Sequence, residues 1–299
     1  MNAAHVPAAE MDNPRAERVK DVTRLATRSG RAKRGAFLAE GPQAVREALR
    51  AHDEAVATHR QPVVLEVYAT AEALQRHPDL AGHRERVRRY TATGEVLAAM
   101  ADTVTPQGII AVCRIPEPTL DAVLGARPRL VAVLCRVQDP GNAGTILRAA
   151  DAAGADAIVL TTGSVDIYNP KAVRSTVGSV FHLPIVAGVA FPELVEKATA
   201  AGVQLLAADG YGSVDLDALQ DDSAARRAGT PEAPTDAPRL EDATAWLFGN
   251  EAQGLDAGEL AAAGHRVAVP LYGVAESLNV GTAATVCLYA SARAQRRSR

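Results

Sequence analysis

Leu130-Val131-Ala132-Val133-Leu134-Cys135-Arg136-Val137-Gln138-Asp139-Pro140-Gly141-Asn142-Ala143-Gly144-Thr145-Ile146-Leu147-Arg148 is the stretch that decides the fold. Its first six residues are an unbroken apolar run, the mark of a strand covered on both faces. Pro140-Gly141 then turns the chain, Asn142 precedes a helix running to about Ala153, and Ala157–Leu160 is apolar again. Strand, helix and strand within about 30 residues form a βαβ unit. Outward from it, Leu183–Val186, Val203–Ala207, Ala245–Phe248 and Arg266–Val269 complete six short strands separated by helical stretches. Asn169-Pro170 reads as a helix cap followed by Pro at the first helical position, starting a helix through about Val177. The second half is therefore a doubly wound α/β domain. One segment breaks the pattern: Asp221 to Asp242 is rich in Ala, Pro, Asp and Arg without apolar periodicity, which predicts a mobile loop inserted between two strands.

The first half alternates on a smaller scale. Residues 15–50 read as helical, with Val19, Val22, Leu25 and Ala26 at helical spacing. Phe37-Leu38-Ala39-Glu40-Gly41-Pro42 interrupts that pattern, and a helix is expected from Gln43 to Ala51. Val63–Tyr68 and Arg86–Tyr90 are strand candidates, Glu72–Gln75 starts a helix, and the unit ends near Ile109–Cys113. Pro116, Pro118 and Pro128 punctuate the next stretch of chain. The boundaries predicted are a disordered N-terminus over 1–14, a small α/β domain over 15–115, a linker over 116–128, and a larger α/β domain over 129–299 carrying a flexible insertion at 221–242.

A chain of 299 residues suits two domains, and 47% hydrophobic with 22% charged residues is ordinary for a globular protein. Met1 to Asp21 lacks the apolar run of a secretory signal, and no stretch approaches the roughly 20 apolar residues of a membrane span. Cys113, Cys135 and Cys287 are odd in number and widely spaced, so they read as buried small hydrophobes rather than disulfides or a metal site. A cytoplasmic location is expected, with no metal. The net charge of −3 hides an asymmetry: ten Arg or Lys stand against four acids between Arg15 and Arg50. Arg84, Arg86, Arg88 and Arg89 cluster beside one Glu85, and the chain closes with Arg293, Arg296, Arg297 and Arg299. Any one such run suits a solvated helix face; three of them favour a polyanionic partner.

Three motifs carry chemistry, each where a strand ends. The first is the Asp139–Arg148 turn, where Gly141 and Gly144 raise the possibility of a dinucleotide loop. The spacing is G-x-x-G rather than G-x-G-x-x-G, and Leu160-Thr161-Thr162 offers no acid at the end of the second strand, which argues against a nicotinamide site. The second is Phe248-Gly249-Asn250-Glu251-Ala252-Gln253-Gly254-Leu255, whose glycines let backbone approach a ligand. The third is Pro270-Leu271-Tyr272-Gly273-Val274-Ala275-Glu276-Ser277-Leu278-Asn279-Val280, leading into an apolar helix for which Ser277 or Asn279 is a natural cap. Open parallel sheets bind their ligands at this end.

In this order the motifs resemble those of the SpoU/TrmH family of SPOUT-class RNA methyltransferases, over residues 130–299. Residues 15–113, through Phe37–Pro42 and Thr105-Pro106-Gln107-Gly108-Ile109-Ile110-Ala111, resemble the L30e-like substrate-binding domain often placed before it. Val165–Arg174 followed by Ser179-Val180-Phe181 is also family-like. The resemblance implies a SPOUT-type α/β trefoil-knot methyltransferase domain preceded by a small α/β RNA-binding domain. It implies S-adenosylmethionine as cofactor, held by Gly249, Gly254, Val269, Leu278 and Ala207 with the loop after it. It also implies a homodimer whose active site draws on both subunits. Methyl transfer to a ribose 2′-hydroxyl then falls to Arg148, Asn142, Glu251, Ser277 and Asn279, with Glu251 expected to orient Arg148 by a charge-assisted pair. A guanidinium is effectively never deprotonated, so Arg148 is read as a cation that steadies developing alkoxide charge, not as a base. The RNA expected is ribosomal (23S). Transfer RNA, a base rather than a ribose as acceptor, and a non-catalytic RNA-binding role are the alternatives.

Overall fold

A computed structural model describes residues 10–82, 86–229 and 236–297. In chain order its helices and strands begin α1 (Glu17–Thr23), α2 (Arg28–Arg34), β1 (Ala36–Glu40), α3 (Pro42–Ala57), β2 (Val64–Ala69), α4 (Ala71–Arg76), β3 (Arg88–Thr91), α5 (Gly94–Met100) and β4 (Ile109–Arg114). They continue α6 (Leu120–Gly125), β5 (Leu130–Leu134), α7 (Pro140–Ala153), β6 (Ala157–Thr161), α8 (Pro170–Thr176), β7 (Ile185–Val189), α9 (Phe191–Ala200) and β8 (Gln204–Ala208). The last are β9 (Val214–Asp215), α10 (Leu216–Arg227), β10 (Thr244–Phe248), α11 (Ala257–Ala262), β11 (His265–Ala268) and α12 (Val280–Arg297). Two compact units result: residues up to Pro116 together with Asp166–His182, and Glu117–Val165 together with Leu183 onward.

The second unit is a seven-stranded sheet in the order β7-β6-β5-β10-β8-β11-β9, with every strand pairing parallel among the described residues. Strands β5, β6 and β10 are buried at every residue, as their unbroken apolar runs require. Because side chains alternate, Val131, Val133, Val159, Leu205 and Leu247 turn to one face and pack with Leu120 and Val123 of α6 and Leu194 and Ala198 of α9. On the adjoining register positions Trp246 is fully buried and donates through Nε1 to Ser291 Oγ of α12 at 2.9 Å. Burying an indole of about 200 Å² at about 25 cal/mol per Å² is an upper bound near 5 kcal/mol, and the hydrogen bond removes the cost of hiding its N–H. All three cysteines are buried, and burial pushes their thiols up, Cys287 to about 12.

The first unit has a four-stranded mixed sheet in the order β1-β4-β2-β3. Val19, Val22 and Leu25 meet Leu38, Tyr68, Ile110, Val112 and Leu97 on one side of it. Phe37 points the other way, 4.9 Å from the Tyr168 ring and 5.7 Å from Phe181. Buried Arg31 pairs with Asp166 at 2.6 Å and donates to the carbonyls of Leu25 and Ala26. These contacts hold Asp166–His182 in the first unit, although it interrupts the second in sequence.

Several expectations change. The apolar run broken out of the helical stretch is a strand, β1, and the helix after it is longer than expected, beginning at Pro42 and continuing past Ala51 to Ala57. Residues 10–14 are not disordered: Met11 exchanges backbone hydrogen bonds with Thr91 and Thr93 at 2.8 and 2.9 Å, while residues 1–9 lie outside the described residues. The 116–128 segment carries α6, whose apolar side chains enter the core. A seventh strand, β9, is two residues long and so shows no period. The 221–242 segment is helical to Arg227, where Arg226 pairs with Glu241 at 2.9 Å; residues 230–235 are outside the described residues. Arg84, Glu85 and Arg299 also lie outside them. Part of the basic excess is internally matched, as Arg46 with Asp79 and Arg50 with Glu47 illustrate. Among the described residues no helix is long and apolar enough to cross a membrane.

Candidate functional site

The three motif loops meet at the C-terminal ends of β5, β10 and β11. Arg136, just beyond β5, has φ +56°, a left-handed turn that sends the chain toward α7. Its guanidinium grips Glu259 of α11 through Nε and Nη2, at 3.0 and 2.7 Å, and Glu259 forms a capping box with Asp256. Helix α7 begins three residues earlier than its motif suggests: Pro140 is in the first turn and Asp139, not Asn142, is the cap, accepting from the Asn142 amide at 2.9 Å. A left-handed Gly154 closes the helix. The preceding turn is bound to the second motif, since Asn250 Nδ2 donates to the Arg136 carbonyl at 3.0 Å.

Glu251 completes that clasp. Its carboxylate accepts from the amides of Gln138 (3.1 Å) and Asp139 (3.0 Å) and from Asn142 Nδ2 (3.2 Å). Burial alone would raise its pKa, but these donors outweigh burial and hold the carboxyl below its ordinary value. An ionised carboxylate only accepts, so the Asn142 amide must turn its NH2 toward Glu251 and its oxygen the other way. That oxygen accepts from Asn279 Nδ2 at 3.0 Å. Asn279 Oδ1 in turn accepts from the amides of Gly281 (2.9 Å) and Thr282 (3.4 Å), capping α12. Glu251, Asn142 and Asn279 thus form a directional chain across all three motifs. The expected Glu251–Arg148 pair does not form, because the carboxylate oxygens are taken by the β5–α7 turn.

Beside this chain lies a cleft of about 530 Å³, whose walls include Ala208–Tyr211, Phe248–Leu255, Leu260, Arg266, Val269, Leu271, Glu276–Leu278 and Val280. Gly249 shapes it: a Cβ there would fall 2.3 Å from the Gly254 carbonyl carbon and 2.4 Å from the Leu255 nitrogen. Gly254 has φ +67° and exchanges backbone hydrogen bonds with Asn250 at 3.0 and 2.8 Å. The cleft is the size of a small-molecule site, with walls that mix apolar side chains with charged ones such as Asp209, Arg266 and Glu276. It suits a ligand carrying both a flat heterocycle and charged groups, which is the chemistry of S-adenosylmethionine.

Of the expected residues, Gly249, Gly254, Val269, Leu278, Glu251 and Ser277 line the cleft. Ala207 does not; its neighbour Ala208 does, and Ala207 is buried in the sheet. Asn142 and Asn279 join through the hydrogen-bonded chain rather than as walls. Arg148 is exposed on α7, is not a wall of the cleft, and makes no side-chain hydrogen bond or ion pair among the described residues. The reading from sequence missed Asp139, Leu260 and the Asp209–Arg266 pair at 2.5 Å. The Gly210 and Gly212 punctuation after β8 was the available signal, for a Cβ on Gly212 would meet the Arg266 carbonyl oxygen at 2.6 Å.

Comparison with known proteins bears on both units. Residues 129–289 match the SpoU rRNA Methylase family and residues 16–111 the MRM3-like substrate binding domain. The 23S rRNA (guanosine(2553)-2'-O)-methyltransferase RlmP of Bacillus subtilis is 35% identical over 280 residues, 94% of this chain and 98% of that one. The 23S rRNA (uridine(2479)-2'-O)-methyltransferase of Streptomyces viridochromogenes is 29% identical over 275 residues, 90% of this chain and 86% of that one. The crystal structure of an AdoMet-bound rRNA methyltransferase from Sinorhizobium meliloti matches with a TM-score of 0.74 and 26% identity, covering 95% of this chain and 97% of that one. These likenesses extend over nearly the whole length, not over the motifs alone.

Proposed function

This chain belongs to the SpoU rRNA methylase family, and from that premise we propose that it methylates a ribose 2′-hydroxyl of 23S ribosomal RNA. It is an S-adenosylmethionine-dependent RNA 2′-O-methyltransferase. The observation that carries the reading is the cleft at the strand ends, framed by the hydrogen-bonded chain from Glu251 through Asn142 to Asn279.

Bound in that cleft, S-adenosylmethionine supplies a methyl group activated by a sulfonium. Gly249, Gly254, Val269 and Leu278 of the cleft wall would hold it by backbone and apolar contact, and the Ala208–Tyr211 loop would enclose it. Ser277 and the two asparagines position the incoming ribose, whose alignment is worth several kcal/mol of barrier. On transfer of that methyl group the ribose hydroxyl would give up its proton to water or a neighbouring phosphate. Arg148, a permanent cation, stabilises the negative charge that develops on the oxygen.

Arg148 stands outside the cleft of its own chain, so it acts on the cleft of a second copy. Exposed Leu271, Tyr272, Val274 and Leu278 on the third motif loop, with Val286 and Tyr289 on α12, supply the apolar surface a homodimer needs. The loops around the cleft form a trefoil knot in the same reading, and the protein works in the cytoplasm. Ribosomal RNA is preferred to transfer RNA because both relatives above are named for 23S rRNA, while their different target nucleotides leave the position in this chain's RNA open. The test is incubation with methyl-tritiated S-adenosylmethionine and either 23S or transfer RNA, followed by alkaline hydrolysis. The expected product is one alkali-resistant linkage in 23S RNA; label on a base, or in transfer RNA alone, overturns the proposal.

A further inference from the structure

In the first unit, three arginines from three elements converge on one carboxylate. Glu66 of β2 is 2% exposed. Arg88 of β3 donates to it at 2.8 Å, Arg34 of α2 at 3.0 Å, and Arg18 of α1 stands 3.7 Å away. Tyr68 Oη donates to the same carboxylate at 2.6 Å. The parallel ladder sets this up: Glu66 lies opposite Arg88 and Tyr68 opposite Tyr90, so the four side chains share a face. Tyr90 stacks on Tyr68 with centroids 5.0 Å apart, and the Arg18 guanidinium carbon lies 4.5 Å from the Tyr90 ring centre.

This arrangement holds more charge than the fold needs. One cation satisfies a buried carboxylate, and Arg34 with the Tyr68 hydroxyl already does so. Three guanidinium groups against one carboxylate leave a surplus of two positive charges. Elsewhere among the described residues of the unit the balance is even or favours the carboxylates: Arg31 meets Asp166 alone, Arg60 meets Glu54 alone, and Arg24 and Arg174 each meet two carboxylates. The surplus is on the exposed members: the Arg18 and Arg88 side chains are 43% and 64% exposed. Both are pinned, Arg88 by Glu66 and Arg18 by the Tyr90 ring, so little side-chain entropy remains to be lost on binding. The strand of Arg88, β3, ends the sheet order and leaves the cluster at an edge.

We propose that Arg18 and Arg88, held in place by Glu66 and Tyr90, form a clamp for RNA backbone phosphates on the substrate-binding unit. The inference rests on the RNA reading above and adds a contact site to it. Phosphate is the ligand chemistry because guanidinium forks match it and because the cluster offers donors without a free acceptor for base edges. Tyr90 is already stacked on Tyr68 and covered by Arg18, so it offers little to a base.

The test is filter binding of the full chain to deproteinised 23S RNA across about 50 to 200 mM potassium chloride, with affinity plotted against salt on logarithmic axes. Each phosphate contact contributes a slope of about 0.7 to 0.9, so Arg18→Gln with Arg88→Gln should flatten it by about 1.4 to 1.8. Over that salt range the affinity advantage of the parent should shrink about tenfold. Arg18→Lys with Arg88→Lys keeps the charge and should keep the slope, and Arg60→Gln should leave it unchanged. Melting temperature and S-adenosylmethionine affinity report folding; if the double variant melts early, each single Gln variant should still flatten the slope by about half as much. A parent that binds RNA while the Gln variants keep its slope overturns the clamp alone. A parent with no salt-dependent RNA binding overturns the clamp and the RNA reading together.

Discussion

Replacing Glu251 by Gln tests whether the three motif loops act as one device. In the parent, one carboxylate oxygen accepts from Gln138 N and the other from Asp139 N and Asn142 Nδ2. Glutamine has a single oxygen, so whichever way it turns, its NH2 faces at least one N–H and a hydrogen bond is lost. The bonds that survive fall from charge-assisted to neutral strength. Glu251 is exposed, so the lower ends of the usual ranges apply: about 1.5 kcal/mol for the lost bond and a few tenths to 0.5 for each weakened one. The total of about 2 kcal/mol corresponds to roughly 30-fold in the population of correctly joined loops. We therefore expect kcat/KM for methyl transfer to 23S RNA to fall about 30-fold, with weaker S-adenosylmethionine binding by calorimetry. A Glu251→Gln enzyme within threefold of the parent in kcat/KM, with an unchanged melting temperature, would show that the clasp does not govern the site and refute the reasoning.

The carboxyl of Glu251 is held below its ordinary value of 4.5, so its contribution is complete above the unfolded value and is lost as pH falls through the lowered one. The melting-temperature gap between parent and Glu251→Gln should thus be constant at neutral pH and close in acid; a gap that widens in acid contradicts the assignment. Arg148→Ala should cut turnover by about a hundredfold or more while leaving the Kd of S-adenosylmethionine within twofold, as expected for a group that meets developing charge; equal turnover, measured by tritium transfer, removes Arg148 from the mechanism. Gly249→Ala puts a methyl 2.3 Å from backbone that cannot swing aside, so the loop must move and calorimetric cofactor affinity should drop at least about tenfold. Unchanged affinity would mean that Gly249 does not shape the cofactor pocket.

Much of the fold was legible because its signals are local. An apolar run such as Leu130–Leu134 reports burial on both faces, and Asn169 before Pro170 reports a helix start that its side chain makes real by accepting from Ala172 N at 3.0 Å. Helix period, strand alternation and turn chemistry depend on neighbours within a few residues, so one chain suffices to read them. The glycines of the second motif belong with these: Gly249 and Gly254 marked close backbone approach, and the structure puts them against each other.

The chain alone left undecided which partner each polar side chain finds. Glu251 was expected to seek the cation Arg148, the simplest match of charge; the fold instead delivers three N–H donors to it, one from a side chain 109 positions away. Asn279 to Asn142 spans 137 positions, and Arg31 to Asp166 spans 135. No periodicity encodes such pairs, because their free energy exists only once the sheet has brought distant strand ends together. The sequence by itself determined the α/β class, the strand-end motifs and the basic character of the first unit. Only the tertiary structure decided that Asp166–His182 packs in the first unit and that the motif polar groups link through Glu251, since competition for donors is settled by geometry rather than by composition.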